Sequence, residues 1–211
     1  MSKINEIAAA VESGKVKLIE GLVQEALDAG EDPNEVLDKG MISAMGVVGA
    51  KFQANEVFVP EMLVAAKTMK KGVVILRPHL ASGSLGKLGK FIIGTVAGDL
   101  HDIGKNLVAL MLESAGFEVI DLGVDVPPEK FVDALKEYPD CKLIGASALL
   151  TTTMEALKNT VEAINNNGFK GKVKIMIGGA PVTQEFADQI GADLYTADAG
   201  SAAVKAAETV Q

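Results

Sequence analysis

The sequence predicts an α/β protein: an N-terminal four-helix bundle followed by a flavodoxin/Rossmann-like, doubly wound domain with a five-stranded parallel sheet. Three observations carry this reading. The first eighty residues show apolar spacing of the helical kind and no strand-like run. The stretch Ser82-Gly83-Ser84-Leu85-Gly86-Lys87-Leu88-Gly89 then loses apolar periodicity and turns to glycine and serine, the composition of a linker. After it, short β-rich runs alternate with amphipathic runs to the end of the chain, and such alternation makes a parallel sheet covered by helices. The expected domains are therefore 1–81, a linker over 82–89, and 90–211.

The bundle elements are read in order. Ile4, Ile7, Ala8 and Val11 recur at helical spacing, and Gly14 stops that run. A second helix spans Val16 to Ala29 and ends at Gly30. Asp32-Pro33-Asn34-Glu35 starts a third: Asp caps, Pro occupies the first turn, and Glu follows three residues after the cap. That helix is expected to run unbroken to about Phe52. A fourth runs from about Pro60 to Leu76, where Arg77-Pro78 ends it. Short connections between helices favour antiparallel neighbours.

In the second domain the strand-like runs are Lys90–Ala97, Glu118–Leu122, Leu143–Ala148, Val173–Gly178 and Asp193–Tyr195. Between and after them lie helical runs at Ile103–Ala115, Pro128–Lys136, Met154–Asn166, Thr183–Ile190 and Gly200–Thr209.

Composition excludes several function classes. The net charge is −8, from 28 acidic and 20 basic residues, which opposes binding to nucleic acid phosphates. A chain that is 48% hydrophobic can bury a core, yet no run is long enough to span a membrane, and the amino terminus lacks a signal-peptide core. The single cysteine, Cys141, rules out an internal disulfide and fits a reducing, cytoplasmic compartment.

The chemistry concentrates in Gly94-Thr95-Val96-Ala97-Gly98-Asp99-Leu100-His101-Asp102-Ile103-Gly104. A strand breaks into a loop carrying Asp99 and His101, and a helix follows at once. This sets an imidazole at the carboxyl end of a strand, where open α/β sheets bind ligands. Asp99 is spaced to orient the ring, since a ligating histidine usually donates its second nitrogen to a carboxylate. One His with one Asp is too few for a protein-built metal site. It suits a metal already held by a macrocycle with one axial position open. Two later strand ends carry Ser147-Ala148-Leu149, with Thr151 and Thr153 beyond it, and Gly178-Gly179. Each piece alone has an ordinary structural reading: helix caps for Ser147 and Thr151, a strand-end turn for the glycines, bundle core for Phe52, Val59 and Met62.

Read together as DxHxxG, SxL and GG, the three motifs resemble the cobalamin-binding region of methionine synthase and of corrinoid methyl-carrier proteins. The resemblance extends to the helical region, through Met45 to Phe52 and Val57 to Met62. It implies a cobalamin or related corrinoid whose cobalt takes His101 as lower axial ligand, with Asp99, His101 and Thr153 forming a relay. It further implies cofactor contacts from Gly98, Asp102, Ile103, Gly104, Ser147, Leu149, Thr151, Gly178 and Gly179. Ser147 and Thr151 would line a slot for the nucleotide tail, and Phe52, Val59 and Met62 would cap the opposite face of the corrin.

The function so implied is a methyl carrier in one-carbon metabolism, not an enzyme on its own. It takes a methyl group from a substrate-specific methyltransferase and delivers it to a second methyltransferase acting on a pterin or thiol. A reductive activase is a third implied partner; nucleic acid and membrane are not. Methylamines, quaternary amines, methanol and methoxyaromatics are all open as donors. The cobalamin subunit of an adenosylcobalamin-dependent mutase and a cobalamin-sensing module stay open as alternatives, and a nucleotide- or flavin-binding flavodoxin-like protein is a weaker one. Asp99→Asn is expected to preserve folding while altering the ligation that the resemblance implies.

Overall fold

The computed structural model describes residues 2–80 and 86–210. The chain divides into two compact units, Met1–Lys87 with Ser114–Gly116, and Leu88–Glu113 with Phe117–Gln211. Residues 82–85 of the expected linker lie outside the described residues.

The first unit is helical. Helix α1 covers Lys3–Glu12, with the Ser2 hydroxyl accepting from the Asn5 amide, and α2 covers Ile19–Asp28. Gly14 and Gly30 follow them with φ of 65° and 80°, the left-handed stop that glycine adopts without penalty. Asp32 caps α3 (Pro33–Glu35), its Oδ1 accepting from the Asn34 amide at 2.9 Å. The expected third helix is not regular throughout. A π-helical segment, Val36–Ile42, separates α3 from α4 (Ser43–Gln53). It buries Val36, Leu37, Gly40 and Met41, and a Cβ on Gly40 would stand 3.1 Å from Ile7 of α1. Helix α5 spans Val59–Leu76, and the Glu61 carboxylate accepts the Phe58 amide at 2.9 Å. Ile7, Val11, Ile19, Val23, Met41 and Met62 are all buried.

The second unit holds, among the described residues, a five-stranded parallel sheet in the order β2-β1-β3-β4-β5. The strands are β1 Lys90–Thr95, β2 Glu118–Asp121, β3 Leu143–Ser147, β4 Lys174–Gly178 and β5 Leu194–Tyr195. The connecting helices are α6 Ile103–Ala115, α7 Pro128–Glu137, α8 Met154–Ile164 and α9 Gln184–Ile190, and α10 is Ala199–Val210. Ile92, Ile144, Ala146, Ile175 and Ile177 face α7, α8 and α9 through Phe131, Leu135, Leu157, Val161 and Ala187. Phe91, Ile93, Leu143 and Met176 alternate with them along the strands and are equally buried. Cys141 is buried, with its thiol 3.0 Å from the Leu143 carbonyl, and burial pushes the thiol pKa up.

This strand order places a topological switch point between β1 and β3. Chain connections leave these neighbours in opposite directions, so their carboxyl ends open a crevice.

Two glycines at strand ends do different work. A Cβ on Gly94 would stand 2.9 Å from the Phe131 ring, so Gly94 makes room for core packing under α7. Gly179, with φ of 134°, lies directly against the Ala148 carbonyl, and a Cβ there would overlap that oxygen. Gly179→Ala is therefore expected to cost about 3 kcal/mol or more, because both the backbone clash and the positive φ must be relieved. Chemical denaturation of the two proteins measures it.

Candidate cofactor site at the carboxyl ends of β1 and β3

Asp99 organises the crevice. Its side chain is fully buried, 0% exposed, and both of its oxygens are occupied. Oδ1 lies 2.7 Å from His101 Nδ1 and accepts the His101 amide at 3.1 Å. Oδ2 accepts the Leu149 amide at 2.7 Å and the Thr153 hydroxyl at 2.8 Å, with the Leu150 amide at 3.4 Å. Burial pushes this carboxyl's pKa up. The Leu149 amide, the His101 ring and amide and the Thr153 hydroxyl outweigh that push and hold it well below the ordinary carboxylate range.

The histidine tautomer follows from that ionisation. A carboxylate can only accept, so His101 Nδ1 carries the proton and donates it to Asp99. Nε2 of the neutral ring then keeps its lone pair. The ring is half-exposed, at 51%, which leaves that nitrogen free to bind a metal.

A second set of bonds fixes the loop from the sheet side. Thr95 and Ser147 are register partners on β1 and β3, and their hydroxyl oxygens are 3.0 Å apart. Thr95 donates to the His101 carbonyl at 2.9 Å, so the Ser147 hydroxyl is the donor within the pair. Ser147, expected in the tail slot, thus also supports the histidine loop. Thr153 is buried between Asp99 and the Leu150 carbonyl, 2.9 Å away, and its one proton can serve only one of them at a time.

The Ser147-Ala148-Leu149 and Gly178-Gly179 motifs meet directly. The Ala148 amide donates to the Gly178 carbonyl at 3.2 Å while Gly179 closes on the Ala148 carbonyl. This fixes the peptide that aims the Leu149 amide at Asp99. Gly178 is itself held near the Thr196 carbonyl, 3.1 Å from its would-be Cβ.

The remaining expected residues fall on the rim. Gly98, with φ of 78°, Asp102 and Gly104 are exposed, and a Cβ on Gly104 would meet nothing within 4 Å. Asp102 accepts from Asn106 through both its carbonyl and its carboxylate, at the entry to α6. Thr151 is exposed on the single turn Thr151–Thr153 ahead of α8. In the helical unit Phe52 is half-buried, Val59 is exposed and Met62 is buried.

Sequence reasoning missed several participants. Leu100, 72% exposed, and the exposed Leu150 were not anticipated; with Ile103, 78% exposed, and Leu149, both expected as cofactor contacts, they put exposed apolar side chains on the same loops. Thr95 escaped notice because its role depends on which residue β3 sets opposite it. Lys105 is buried, its Nζ 2.5 Å from Asp121 Oδ2 and 2.7 Å from Asn106 Oδ1, tying the first turn of α6 to the end of β2. Asp125 went unread although it sits in a strand-end loop on the same sheet edge.

A corrinoid fits this donor set. Among the described residues no three His, Cys, Asp or Glu side chains group to hold a metal ion. One oriented imidazole, with exposed Leu and Ile side chains on the same loops and open space at Gly104, suits a flat apolar macrocycle that brings its own metal. Among the described residues no helix is long and apolar enough to cross a membrane.

Comparisons with known proteins point to the same class of cofactor. Residues 89–208 match the B12 binding domain family, and residues 3–77 match a second family of the same description. Dimethylamine corrinoid protein 3 of Methanosarcina acetivorans is 43% identical over 205 residues, covering 97% of this chain and 95% of that protein. The trimethylamine corrinoid protein of Methanosarcina barkeri is 44% identical over 191 residues, covering 90% of this chain and 88% of that protein. The structure of the methanol:cobalamin methyltransferase complex MtaBC from Methanosarcina barkeri superposes with a TM-score of 0.87 at 30% identity, covering 99% of this chain and 79% of that one. With an imidazole held by a buried carboxylate and likeness along nearly the whole chain to such proteins, this chain belongs to the B12-binding corrinoid proteins of methyltransferase systems.

Proposed function

We propose that this protein carries a methyl group between a substrate-specific methyltransferase and a second methyltransferase acting on a pterin or thiol, without catalysing either transfer alone. The observation that supports this most is the Asp99-oriented His101, whose Nε2 is free at the mouth of the crevice. The bound cobalt supplies the methyl-transfer chemistry, and the chain's residues bind, orient and shield it. His101 offers the axial nitrogen. Asp99 sets the tautomer through its bond to Nδ1. The exposed Leu100, Ile103, Leu149 and Leu150 would give a bound macrocycle apolar cover against water.

Gly98, Asp102, Gly104, Ser147, Thr151, Gly178 and Gly179 form the remainder of the proposed cofactor contacts. Phe52, Val59 and Met62 are proposed as cover for the reacting face. Relatives named for dimethylamine and trimethylamine match nearly the whole chain, which supports a methylamine as donor. A reductive activase is proposed as a further partner.

Anaerobic reconstitution with cobalamin is expected to give a coloured protein with stoichiometric cobalt. The reduced holoprotein is expected to be methylated by a dimethylamine- or trimethylamine-specific methyltransferase with its amine, and not by a methanol-specific one with methanol. A chain left colourless and cobalt-free sinks the reading; methylation from methanol alone moves the donor.

A further inference from the structure

The turn between β2 and α7 grips the histidine loop at a point where the sheet no longer can. Pairing between β1 and the 121–126 segment continues past the strands. The Leu122 amide donates to Ile93 at 2.8 Å, Thr95 to Gly123 at 3.0 Å, and Val126 to Thr95 at 2.9 Å. Beyond Thr95 the chain turns away toward His101, and one residue extends the grip. The Asp125 amide donates to the Asp99 carbonyl at 3.0 Å, and Asp125 Oδ1 accepts the Gly98 amide at 2.7 Å.

The backbone at Asp125 departs from ordinary conformations. Its φ is 52°, and it is one of two non-glycine residues with positive φ among the described residues. Left-handed backbone is costly for most L-residues, though Asp and Asn tolerate it through local hydrogen bonding. Strain of this kind persists where surrounding contacts require it. Here it turns one residue so that its amide and carboxylate engage two successive residues, Gly98 and Asp99. Gly98 is itself left-handed, at 78°, so the carboxylate holds a glycine that would otherwise sample many conformations.

We infer that Asp125 is a positioning residue for His101, latching the loop through Gly98 and Asp99 so that the Asp99 carboxylate and the imidazole meet in one register. The inference rests on the corrinoid reading for its purpose, while the latch itself is a property of the apoprotein. Asp99 receives its other partners from the β3 loop, so the two sides of the crevice hold it jointly. Without the carboxylate at 125, the Asp99 side chain stays anchored to Leu149 while its backbone loosens. The ring is then held less often in the orientation that presents Nε2.

The test compares full-length Asp125→Gly, Asp125→Asn and parent proteins. Glycine accepts the left-handed backbone without strain and removes the carboxylate, together with the side chain's restriction of the backbone. Asparagine tolerates the same backbone and keeps an acceptor oxygen. Nitrogen-15 shifts of the His101 ring in the apoproteins, at a pH above ordinary imidazole titration, report the tautomer. In the glycine variant the Nδ1–H bias is expected to fall toward the mixture of a free histidine. Amide exchange at Gly98 is expected to rise about tenfold, with exchange at Ile144 in β3 unchanged. The asparagine variant is expected to match the parent in both.

In cobalamin-loaded protein, the fraction of cobalt(II) showing nitrogen splitting in electron paramagnetic resonance is expected to drop in the glycine variant and recover with asparagine. Parent-like ring shifts and Gly98 exchange in the glycine variant overturn the latch. So does an asparagine variant whose ring shifts and exchange depart from the parent, and this arm decides the matter if the glycine variant melts early. A parent protein that takes up no cobalamin overturns the functional reading instead, and the apoprotein comparison still decides the latch.

Discussion

His101→Ala is expected to abolish the nitrogen splitting in the cobalt(II) electron paramagnetic resonance spectrum of cobalamin-loaded protein, while the apoprotein stays folded. Folding tolerates the change because the ring is half-exposed and Asp99 keeps its other donors. The amides of residue 101 and Leu149 and the Thr153 hydroxyl still fill the carboxylate. The lost ring bond costs on the order of 1 kcal/mol. The α/β unit holds no other histidine to take its place. Cobalamin uptake is expected to persist in part through the apolar frame of Leu100, Ile103, Leu149 and Leu150. A mutant that retains full nitrogen splitting, with the cofactor's own base excluded by isotopic labelling of the protein, shows that His101 is not the ligand.

Asp99→Asn is expected to weaken both the fold of the α/β unit and the ligation, and here the structure corrects the expectation of a spared fold. The Asp99 oxygens meet only donors: two from His101 and three from the β3 loop. An amide side chain must turn its own N–H₂ group toward one of these sets. A buried donor–donor opposition replaces charge-assisted bonds, at a cost of about 3 kcal/mol. The corresponding fall in Tm is roughly 10 °C.

The sign of the pH dependence follows from the depressed carboxyl. Its folded pKa lies below the unfolded value of about 3.9, so it stabilises the native state above that pH. That contribution declines as pH falls through the unfolded value toward the folded one. The parent–mutant stability gap is therefore widest near neutrality and narrows below about pH 4. Denaturation at several pH values measures it; a gap of the same size at pH 7 and in acid contradicts the charge-based account.

Periodicity and turn chemistry made most of the fold legible. The alternation from Lys90 onward places all five strands within a few residues of their observed bounds, and Asp32-Pro33 and Gly30 mark helix ends where they occur. The π-helical segment Val36–Ile42 was not legible, since its apolar spacing blends into that of the flanking helix. His101 and Asp99 stood out because each needs only its immediate neighbours to be recognised: two residues in one strand-end loop, with a Gly and a helix start behind them.

By itself, then, the sequence determined the alternating architecture, the strand-end loops and the pairing of an imidazole with a carboxylate. Local burial periods and i to i+2 contacts suffice for those. Only the tertiary structure decided what surrounds the pair. Leu149 and Thr153 reach Asp99 from some fifty residues along the chain, and Thr95 meets Ser147 through parallel register. Gly94 proved to answer to Phe131, and Gly179 to the Ala148 carbonyl. These partnerships depend on strand order and register, which set which loops share one edge of the sheet. That information lies in the packing of residues distant in sequence, and no local window of the chain contains it.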